Sequence, residues 1–477
     1  MENVYDEFTS NFDFNNYKDL LPEKNKNDFE KDGELLVIFV NPKSGSQRGV
    51  KICDLSQKYR NENFPNFKIV NFPQEKTKII KSSDFDSTKN FSLVVFNVVK
   101  LEELTQGNNF IKDYLNYFPM NKIRVLIAGG DGTVLSFVSE LGNLCNLQRI
   151  IFGSLPMGTG NDLSNTLNFG YDISISNILN LQKLLYSYII AEIIKIDIWK
   201  ISVEMNDNGY IKEINSGKVI EKKDNFGNLI KTFSRSFINY SSLGFDAKCG
   251  FSFEQKRSSS RYINKLIYAY EAGIRIATFE KQPNFCDLFE GFYIGENIFF
   301  PKKYYNNKIS SSESTSEKTS FDSKDCLTDI KFNIKYEKIP LNKYFMNIVA
   351  QNIYHYFGGV KDIWKKIPIN YLSGEELRSF KERTEQKYND KKLEFFTFDS
   401  PIKMGMENVF GGNAKRLYQG NGPWLLKFKD DINLEKSLSN LYLNIDGEYY
   451  HLIKPKQIEI YLDSDICDGQ INFLKHM

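Results

Sequence analysis

Cysteine and histidine are both scarce in this chain of 477 residues. The six cysteines are scattered, without a Cys-x-x-Cys pair or a Cys/His cluster, which argues against a zinc site and indicates a reducing compartment. With only three histidines, His355, His451 and His476, we do not expect a histidine-based catalytic triad.

The sequence also has no long apolar run and almost no net charge. No stretch of 18 apolar residues occurs, so no transmembrane helix is predicted, and the first residues lack the basic-then-apolar pattern of a signal peptide. The formal net charge of +2 gives no support for a nucleic-acid partner. We expect a cytoplasmic protein that is soluble or peripheral to a membrane.

Hydrophobic and aromatic residues, in contrast, are abundant enough for two cores, at 41% and 14% of the chain. Between 33 and 190, strand-like apolar runs alternate with helical ones, which predicts a three-layer α/β domain with a mostly parallel sheet. Between 191 and 455, period-two strands predict a mainly antiparallel β-sandwich second domain. The C-terminal strand and tail, 456–477, could return to the first domain.

Three other segments have distinct patterns. Residues 1–32 form a predicted acidic, flexible arm, and the Ser/Lys/Glu-rich insertion 302–324 is predicted to be disordered. The segment 261–278 is predicted to be a helix, whose apolar stripe we assign to core packing in preference to a membrane contact. That stripe comprises Ile263, Leu266, Ile267, Tyr270 and Ile274.

The stretch 123–141 organises the first domain. A buried-strand pattern at 125–128 ends in the Gly-Gly-Asp-Gly sequence 129–132, and Thr133 opens a segment with helical spacing. A strand, a glycine turn and a helix together place backbone N–H groups against a phosphate. An acid such as Asp131 is expected beside a phosphate if it binds Mg²⁺ or takes part in a proton transfer. The alternative is a tight turn with an Asx-type cap.

Two further strand-to-loop transitions flank this one in the sequence. The segment 41–46 reads NPKSGS, and 156–162 reads PMGTGND. Because the carboxyl ends of parallel strands meet at one edge of a sheet, the three loops are expected to lie together. NPxSG, GGDGT and PxGTGND in this order resemble the diacylglycerol kinase and lipid kinase superfamily.

The resemblance implies that ATP and Mg²⁺ are the cofactors and that these loops bind the nucleotide. Its implied nucleotide-binding residues are Asn41, Ser44, Gly45, Gly129, Gly130, Asp131, Gly132, Thr133, Gly158, Thr159 and Asn161.

The second domain carries three more matches, at 239–247, at Asn352 with the Gly-Gly pair 358–359, and at the Asp-Gly-Glu sequence 446–448. The resemblance implies that Glu448 is the catalytic base and Asp446 its supporting neighbour, with Asp131 as the rival base. It also implies that Asp246 could belong to a water-mediated Mg²⁺ network.

Each of these acids also has a purely structural interpretation. Asp446 could belong to a hairpin turn, and Asp246 could be a hydrogen-bonded acid in a turn. Arg416 lies in a further stretch that matches the family. It could contact phosphate or pair with an acid.

The activity implied by the resemblance is phosphorylation of membrane-embedded 1,2-diacylglycerol to phosphatidic acid, in lipid signalling. Such an enzyme would visit the membrane surface transiently, and the sequence does not identify protein partners. A sphingoid-base or ceramide kinase is the alternative, although Thr133 and the GTGND loop favour diacylglycerol. The second alternative is an inactive nucleotide-binding regulator, which the intact Gly129–Gly132 loop and Glu448 argue against.

Overall fold

The computed structural model describes most of the chain, with gaps. The described residues are 33–42, 44–57, 69–72, 90–97, 99–117, 120–158, 160–179, 181–215, 217–258, 261–277, 284–295, 336–339, 346–356, 359–367 and 385–477. The predicted arm 1–32, the insertion 302–324, Thr159 and Gly358 lie outside the described residues.

Helices and strands alternate in the first part of the chain. They are β1 (Gly33–Val40), α1 (Ser44–Gln57), β2 (Ile69–Phe72), β3 (Asn90–Asn97), α2 (Leu101–Tyr117), β4 (Ile123–Gly129), α3 (Asp131–Leu144), β5 (Ile150–Pro156), α4 (Asp162–Thr166), α5 (Ile175–Leu179), α6 (Leu181–Ile189) and β6 (Glu192–Asp197).

Strands dominate the remainder. The elements are β7 (Trp199–Asn215), β8 (Lys218–Glu221), β9 (Thr232–Phe237), β10 (Tyr240–Gly244), α7 (Phe245–Gln255), α8 (Arg261–Ala277), α9 (Phe285–Leu288), β11 (Phe289–Gly295), β12 (Tyr336–Ile339), β13 (Asn347–Gln351), β14 (His355–Tyr356), β15 (Val360–Lys361), α10 (Ile363–Lys366), β16 (Leu393–Thr397), α11 (Pro401–Phe410), β17 (Lys415–Gly420), β18 (Trp424–Phe428), α12 (Glu435–Leu438), β19 (Leu441–Ile445), β20 (Glu448–Leu462) and β21 (Gln470–Lys475). Short 3₁₀ turns lie at Leu147–Arg149, Ile432–Leu434 and Cys467–Gly469.

The first sheet has the strand order β2-β3-β1-β4-β5-β21-β6. Neighbours from β3 to β21 pair in parallel, whereas β2 and β6 are antiparallel to theirs. Every residue of β4 and β5 is buried, which is why both read as continuous apolar runs rather than alternating ones. The predicted α/β fold of this part is confirmed.

Two strands of this sheet come from parts of the chain that lie outside the predicted first domain, 33–190. The C-terminal strand β21 lies between β5 and β6, in line with the predicted possible return of 456–477 to the first domain. Sequence analysis placed β6 in the second domain, but it pairs with β21 in the first sheet. The period-two run 194–201 is divided at Ile198, because β6 ends at Asp197 and β7 begins at Trp199.

Within the described ranges, the second sheet has twelve strands, and their pairings are all antiparallel. Along β7, buried residues alternate with more accessible ones over most of its length, as expected for a half-buried strand. Large aromatic side chains fill the core between strands. The Trp199 and Trp424 ring centroids are 5.5 Å apart, and Phe395 lies 4.8 Å from Trp424. The predicted antiparallel character is confirmed.

Helix α8 turns its apolar stripe to solvent, so the prediction of core packing was wrong. Leu266 is 70% exposed and Tyr270 59%, whereas Glu271 is buried. The buried carboxylate of Glu271 accepts hydrogen bonds from Lys256 Nζ at 2.6 Å and Arg275 Nη1 at 2.8 Å. Because these charged groups satisfy each other, the polar side of the helix can face the protein.

None of the helices in the described part of the chain combines the length and the apolar character that spanning a bilayer requires.

Candidate active site

The turn between β4 and α3 brings the Gly-Gly-Asp-Gly loop to the carboxyl edge of the first sheet. β4 ends at Gly129, Gly130 is the N-cap residue, and α3 begins at Asp131. Among the described residues, no side chain caps this helix. The Thr133 amide donates to the Gly130 carbonyl at 2.9 Å, whereas the Asp131 and Gly132 amides belong to the part of a helix whose amides lack an acceptor one turn back. These amides and the positive end of the helix dipole can therefore receive an anionic group.

The loop after β5 packs directly against this turn. The Met157 amide donates a hydrogen bond of 3.0 Å to the Gly129 carbonyl. A Cβ added to Gly158 would lie 2.4 Å from Gly130 Cα, and a Cβ on Gly130 would lie 3.1 Å from Gly158 Cα. Both glycines are required because two main chains are in contact. An added Cβ at Gly160 would meet no atom of the described residues within 4 Å, so the loop has an open side in this part of the structure.

Asn161 holds the shape of the loop after β5. Its Oδ1 accepts the Gly158 amide at 2.8 Å, and its Nδ2 donates to the Gly158 carbonyl at 3.0 Å and to the Tyr171 carbonyl at 2.6 Å. Asn161 is buried, with a left-handed φ of 58°. Since both ends of its amide are engaged within the loop, it positions Gly158. The resemblance implies that Asn161 helps to complete the nucleotide pocket, and that role stays a prediction.

The loop after β1 joins the same edge. The Asn41 amide donates to the Ala128 carbonyl at 3.0 Å, and the Ser44 amide donates to the Asn41 carbonyl at 3.1 Å. Gly45 lies in the first turn of α1. A Cβ on Gly49 would lie 2.4 Å from the Asn41 carbonyl oxygen. Sequence analysis missed Gly49; its only signal was a glycine inside a helix, which is costly without a packing reason.

Asp131 sits at the centre of these loops. Its Oδ2 accepts the Asp162 amide at 2.8 Å, whereas the enclosed Oδ1 has no hydrogen-bond partner among the described residues. Burial of the carboxylate raises its pKa to about 6, against the opposing effect of the Asp162 and Leu163 backbone amides and of the Asn239 side chain. An enclosed carboxylate oxygen without a partner is costly, which indicates that a bound group supplies one.

Asp446, a residue of the second domain, lies next to the Gly-Gly-Asp-Gly loop of the first. Its carboxylate accepts hydrogen bonds from the Ile238 amide at 2.7 Å, the Asn239 amide at 3.0 Å and the Tyr240 amide at 2.9 Å. A Cβ added to Gly132 would lie 3.7 Å from the Asp446 carbonyl oxygen. Burial raises the pKa of Asp446 to about 7, and the charge of Asp131 adds to the rise.

The Asp446-Gly447 pair is also a hairpin turn, as its structural interpretation predicted. Asp446 has a φ of 47° and Gly447 a φ of 86°, and the pair joins β19 to β20. Positive φ at both central residues is the signature of a type I′ turn. The turn and the site are therefore one feature, since the turn aims the Asp446 carboxylate at the 238–240 main chain.

Glu448, the base implied by the resemblance, is engaged elsewhere. Its Oε1 accepts a hydrogen bond from Arg235 Nη2, and its Oε2 accepts one from the Tyr450 hydroxyl at 3.0 Å. The Glu448 side chain is 40% exposed. Both oxygens are held by neighbours on β9 and β20.

Asp246 is buried and hydrogen-bonded within the second domain. Its Oδ1 accepts from Asn347 Nδ2 at 3.0 Å, and its Oδ2 accepts from the Tyr356 hydroxyl at 3.0 Å. Across the described ranges, no group of three or more His, Cys, Asp or Glu side chains could hold a metal ion. A protein-only Mg²⁺ cage is therefore not present in that part of the chain.

Arg416 contacts Trp364. Its Nε and Nη2 donate to the Trp364 carbonyl at 3.1 and 2.5 Å, and its guanidinium lies 4.3 Å from the centre of the Trp364 ring. These contacts assign the side chain a packing role in the second domain.

His355 fastens the second domain to α4, the helix that follows the loop after β5. Its Nε2 lies 2.5 Å from Asn165 Nδ2, and its Nδ1 lies 2.8 Å from Thr166 Oγ1. If the Asn165 amide donates to Nε2, the ring is neutral with its proton on Nδ1, which donates to Thr166. Burial lowers the pKa of His355 to about 4, and the charge of Lys361 contributes.

We expect this histidine to make the stability of the protein sensitive to acid. Because the folded pKa lies below the unfolded value of about 6.5, the neutral ring stabilises the fold above that pH, and the stabilisation is lost as the pH falls through about 4. The full effect is at most roughly 3 kcal/mol. Denaturant unfolding of wild type and His355→Gln at several pH values should show the two free energies converging on acidification. Parallel curves would contradict the assignment.

Comparison with known proteins gives consistent matches over both parts of the chain. The family model described as the diacylglycerol kinase catalytic domain matches residues 35–198, and the one described as the diacylglycerol kinase accessory domain matches residues 236–449.

Individual relatives agree. Diacylglycerol kinase iota of Mus musculus is 30% identical over 241 residues, which is 49% of this chain and 18% of the relative. Diacylglycerol kinase 3 of Arabidopsis thaliana is 25% identical over 253 residues, 49% of this chain and 47% of the relative. Diacylglycerol kinase 4 of the same plant is 25% identical over 384 residues, 76% of this chain and 66% of the relative. The matched region thus spans less than half of the first two relatives.

Proposed function

The chain belongs to the diacylglycerol kinase family, and on that premise we propose that it is an ATP-dependent diacylglycerol kinase. It transfers the γ-phosphoryl group of ATP to the free hydroxyl of 1,2-diacylglycerol and releases phosphatidic acid and ADP. The observation that carries the proposal is the contact of the Gly130 and Gly158 main chains around Asp131. An uncapped helix, glycine loops and a carboxylate of raised pKa are what phosphoryl transfer to an alcohol requires.

The nucleotide phosphates are proposed to lie at the N-terminus of α3, beside the open side of Gly160. An added Cβ at Gly160 points into free space, so this main chain can approach a ligand closely. Mg²⁺ would be held mainly by phosphate oxygens and water, since it keeps several waters when it binds with a substrate. Bound there, the ion would neutralise charge on the phosphates.

Asp131 is proposed as the general base, in preference to Glu448. The enclosed Oδ1 of Asp131 has no hydrogen-bond partner within the described residues, and burial raises its pKa to about 6, close to the pH at which a base works well. Glu448, in contrast, is paired with Arg235 and Tyr450. Its pairing supports a role in holding β9 against β20.

In the proposed step, Asp131 takes the proton of the diacylglycerol hydroxyl while the oxygen attacks the γ-phosphorus. The bond to the β-phosphate oxygen breaks in line, and ADP carries away the electron pair. Asp446 does not contact the reacting atoms in this proposal. Its hydrogen bonds hold the 238–240 main chain against the loop.

The test is transfer of labelled phosphate from ATP with Mg²⁺ to lipids in mixed micelles, with diacylglycerol, sphingosine and ceramide presented in parallel. We expect labelled phosphatidic acid only. Labelled sphingosine phosphate or ceramide phosphate would agree with the proposed nucleotide site, but would show that the substrate is a sphingoid base or ceramide and not diacylglycerol. No labelled lipid, together with measurable ATP binding, would favour an inactive nucleotide-binding regulator.

A further inference from the structure

Two neighbouring helices of the second domain present apolar side chains to solvent. On α8 these are Ile263, Leu266, Tyr270 and Ile274, and on α11 they are Ile402, Met406 and Phe410. We call these seven residues the α8–α11 patch. Their spacing of three or four residues puts each set on one face of its helix, and the two helices contact each other. Phe410 is 75% exposed.

The opposite faces of both helices are anchored by buried polar groups. On α8, Asn264 is buried and its Nδ2 donates to the Ser258 carbonyl at 2.9 Å, in addition to the Glu271 contacts described above. On α11, buried Glu407 accepts the Gly412 and Asn413 amides at 3.0 and 2.6 Å. Because these buried polar groups have hydrogen-bond partners, the polar side of each helix can be buried while the apolar side stays in solvent. Outward apolar faces on two packed helices form a patch that marks an interaction site.

Basic residues lie on and beside α11, along one edge of the patch. Lys403 and Lys415 share the single carboxylate of Asp399, at 2.8 and 2.6 Å. Lys365 and Lys366 are exposed on α10, and a Cβ on Gly411, directly after α11, would lie 2.9 Å from Lys366 Cδ. An apolar face with basic residues at its edge complements an anionic lipid surface, where the apolar groups enter and the cations meet phosphates.

The patch is also connected to the candidate active site. Helix α8 packs on α7, and α7 begins at Phe245 and carries Asp246 in its first turn. If the α8–α11 patch binds a membrane, the second domain and the turn that carries Asp446 lie close to a lipid substrate in that membrane.

We propose that the α8–α11 patch docks the protein on an anionic membrane surface. The identification of the occupant as a bilayer, and not as a protein, rests in part on the proposed function, because a diacylglycerol substrate resides in a membrane.

The experiment is co-sedimentation of the full chain with vesicles of phosphatidylcholine, with and without phosphatidylserine. The patch variant is Leu266→Gln with Phe410→Gln, and the matched control is Met120→Gln with Phe226→Gln, at sites 88% and 89% exposed outside the patch. We expect the patch variant to lose roughly tenfold or more in vesicle affinity and the control to bind like wild type. Lys365→Gln with Lys366→Gln should weaken binding to phosphatidylserine vesicles by about fivefold per lysine.

Two further measurements separate the possible outcomes. Phosphorylation of a short-chain diacylglycerol in monomeric solution should be unchanged in the patch variant, because the substitutions lie outside the site. Vesicle binding that depends on the patch in a protein without kinase activity would support the surface and overturn the proposed function. Equal vesicle binding by wild type and patch variant would show that the α8–α11 patch does not dock the protein on a membrane. Analytical ultracentrifugation would then show whether the patch instead joins two copies of the chain, which would also contradict the proposal.

Discussion

Gly158→Ala is expected to lower kcat/KM for ATP by at least about 100-fold, the effect of misplacing a reacting group by roughly an ångström. The new methyl group would lie 2.4 Å from Gly130 Cα and 2.8 Å from Asn161 Oδ1. Since Gly130 is main chain, no side chain can rotate away to make room, and the two loops must separate. Overpacking of this kind also costs about 1–3 kcal/mol of stability.

The matched control is Gly142→Ala, which lies in α3, the helix that begins in the Gly-Gly-Asp-Gly loop. A Cβ there would lie 3.5 Å from Leu147 Cδ1, which is ordinary van der Waals contact. Alanine is favoured over glycine inside a helix by roughly 1 kcal/mol, so this variant should keep wild-type kinetics with equal or higher stability. Steady-state kinetics with ATP as the varied substrate decide the matter. Wild-type kinetics in Gly158→Ala would show that the contact of the two loops does not position the nucleotide.

The convergence of the three glycine loops could be predicted because each follows a buried strand of a parallel sheet. The register of β4 against β5, which pairs Gly129 with Pro156, brings two of the loops together. The fold class and the family were confirmed for the same reason. Long apolar runs and glycine turns leave a local trace in the sequence.

Pairing between distant segments leaves a weaker trace: the sequence suggested that 456–477 could return to the first domain, but not which strand it would pair with. β21 joins β6 at the edge of the first sheet, where Gln470 pairs with Asp197. A short edge strand with period-two character has the same pattern in either domain, so the run 194–201 could not be divided from the sequence alone. The Arg235–Glu448 pair was hidden for the same reason, since 213 positions separate its members.

Periodicity located the stripe of α8 but not the direction it faces. A helical stripe shows only that apolar residues share a face, and burial on the other side depended on the contacts of Glu271 with Lys256 and Arg275. Lys256 lies outside the helix, so a reading of the helix sequence alone could not include it. The usual preference for burying the apolar face was therefore outweighed by a satisfied polar network.

Asp131→Asn is expected to lower kcat by about 10²- to 10⁴-fold, the usual contribution of a general base. The substitution is nearly isosteric, and the amide oxygen of asparagine can still accept the Asp162 amide that now bonds Oδ2 at 2.8 Å. It also removes the repulsion between Asp131 and Asp446. Nucleotide affinity and the free energy of unfolding should therefore change little, which separates a chemical role from a structural one.

The dependence on pH distinguishes Asp131 from Glu448 as the base. Burial raises the pKa of Asp131 to about 6, and a base must be ionised to accept a proton, so kcat/KM of the wild type should fall as the pH drops below about 6. Glu448→Gln should retain this acid limb and most of its activity, whereas the residual activity of Asp131→Asn should lack the limb. If Glu448→Gln instead loses both the limb and the activity, the base is Glu448. The hydrogen bonds from Arg235 and Tyr450 would then have to open before each turnover, because they occupy both carboxylate oxygens of Glu448.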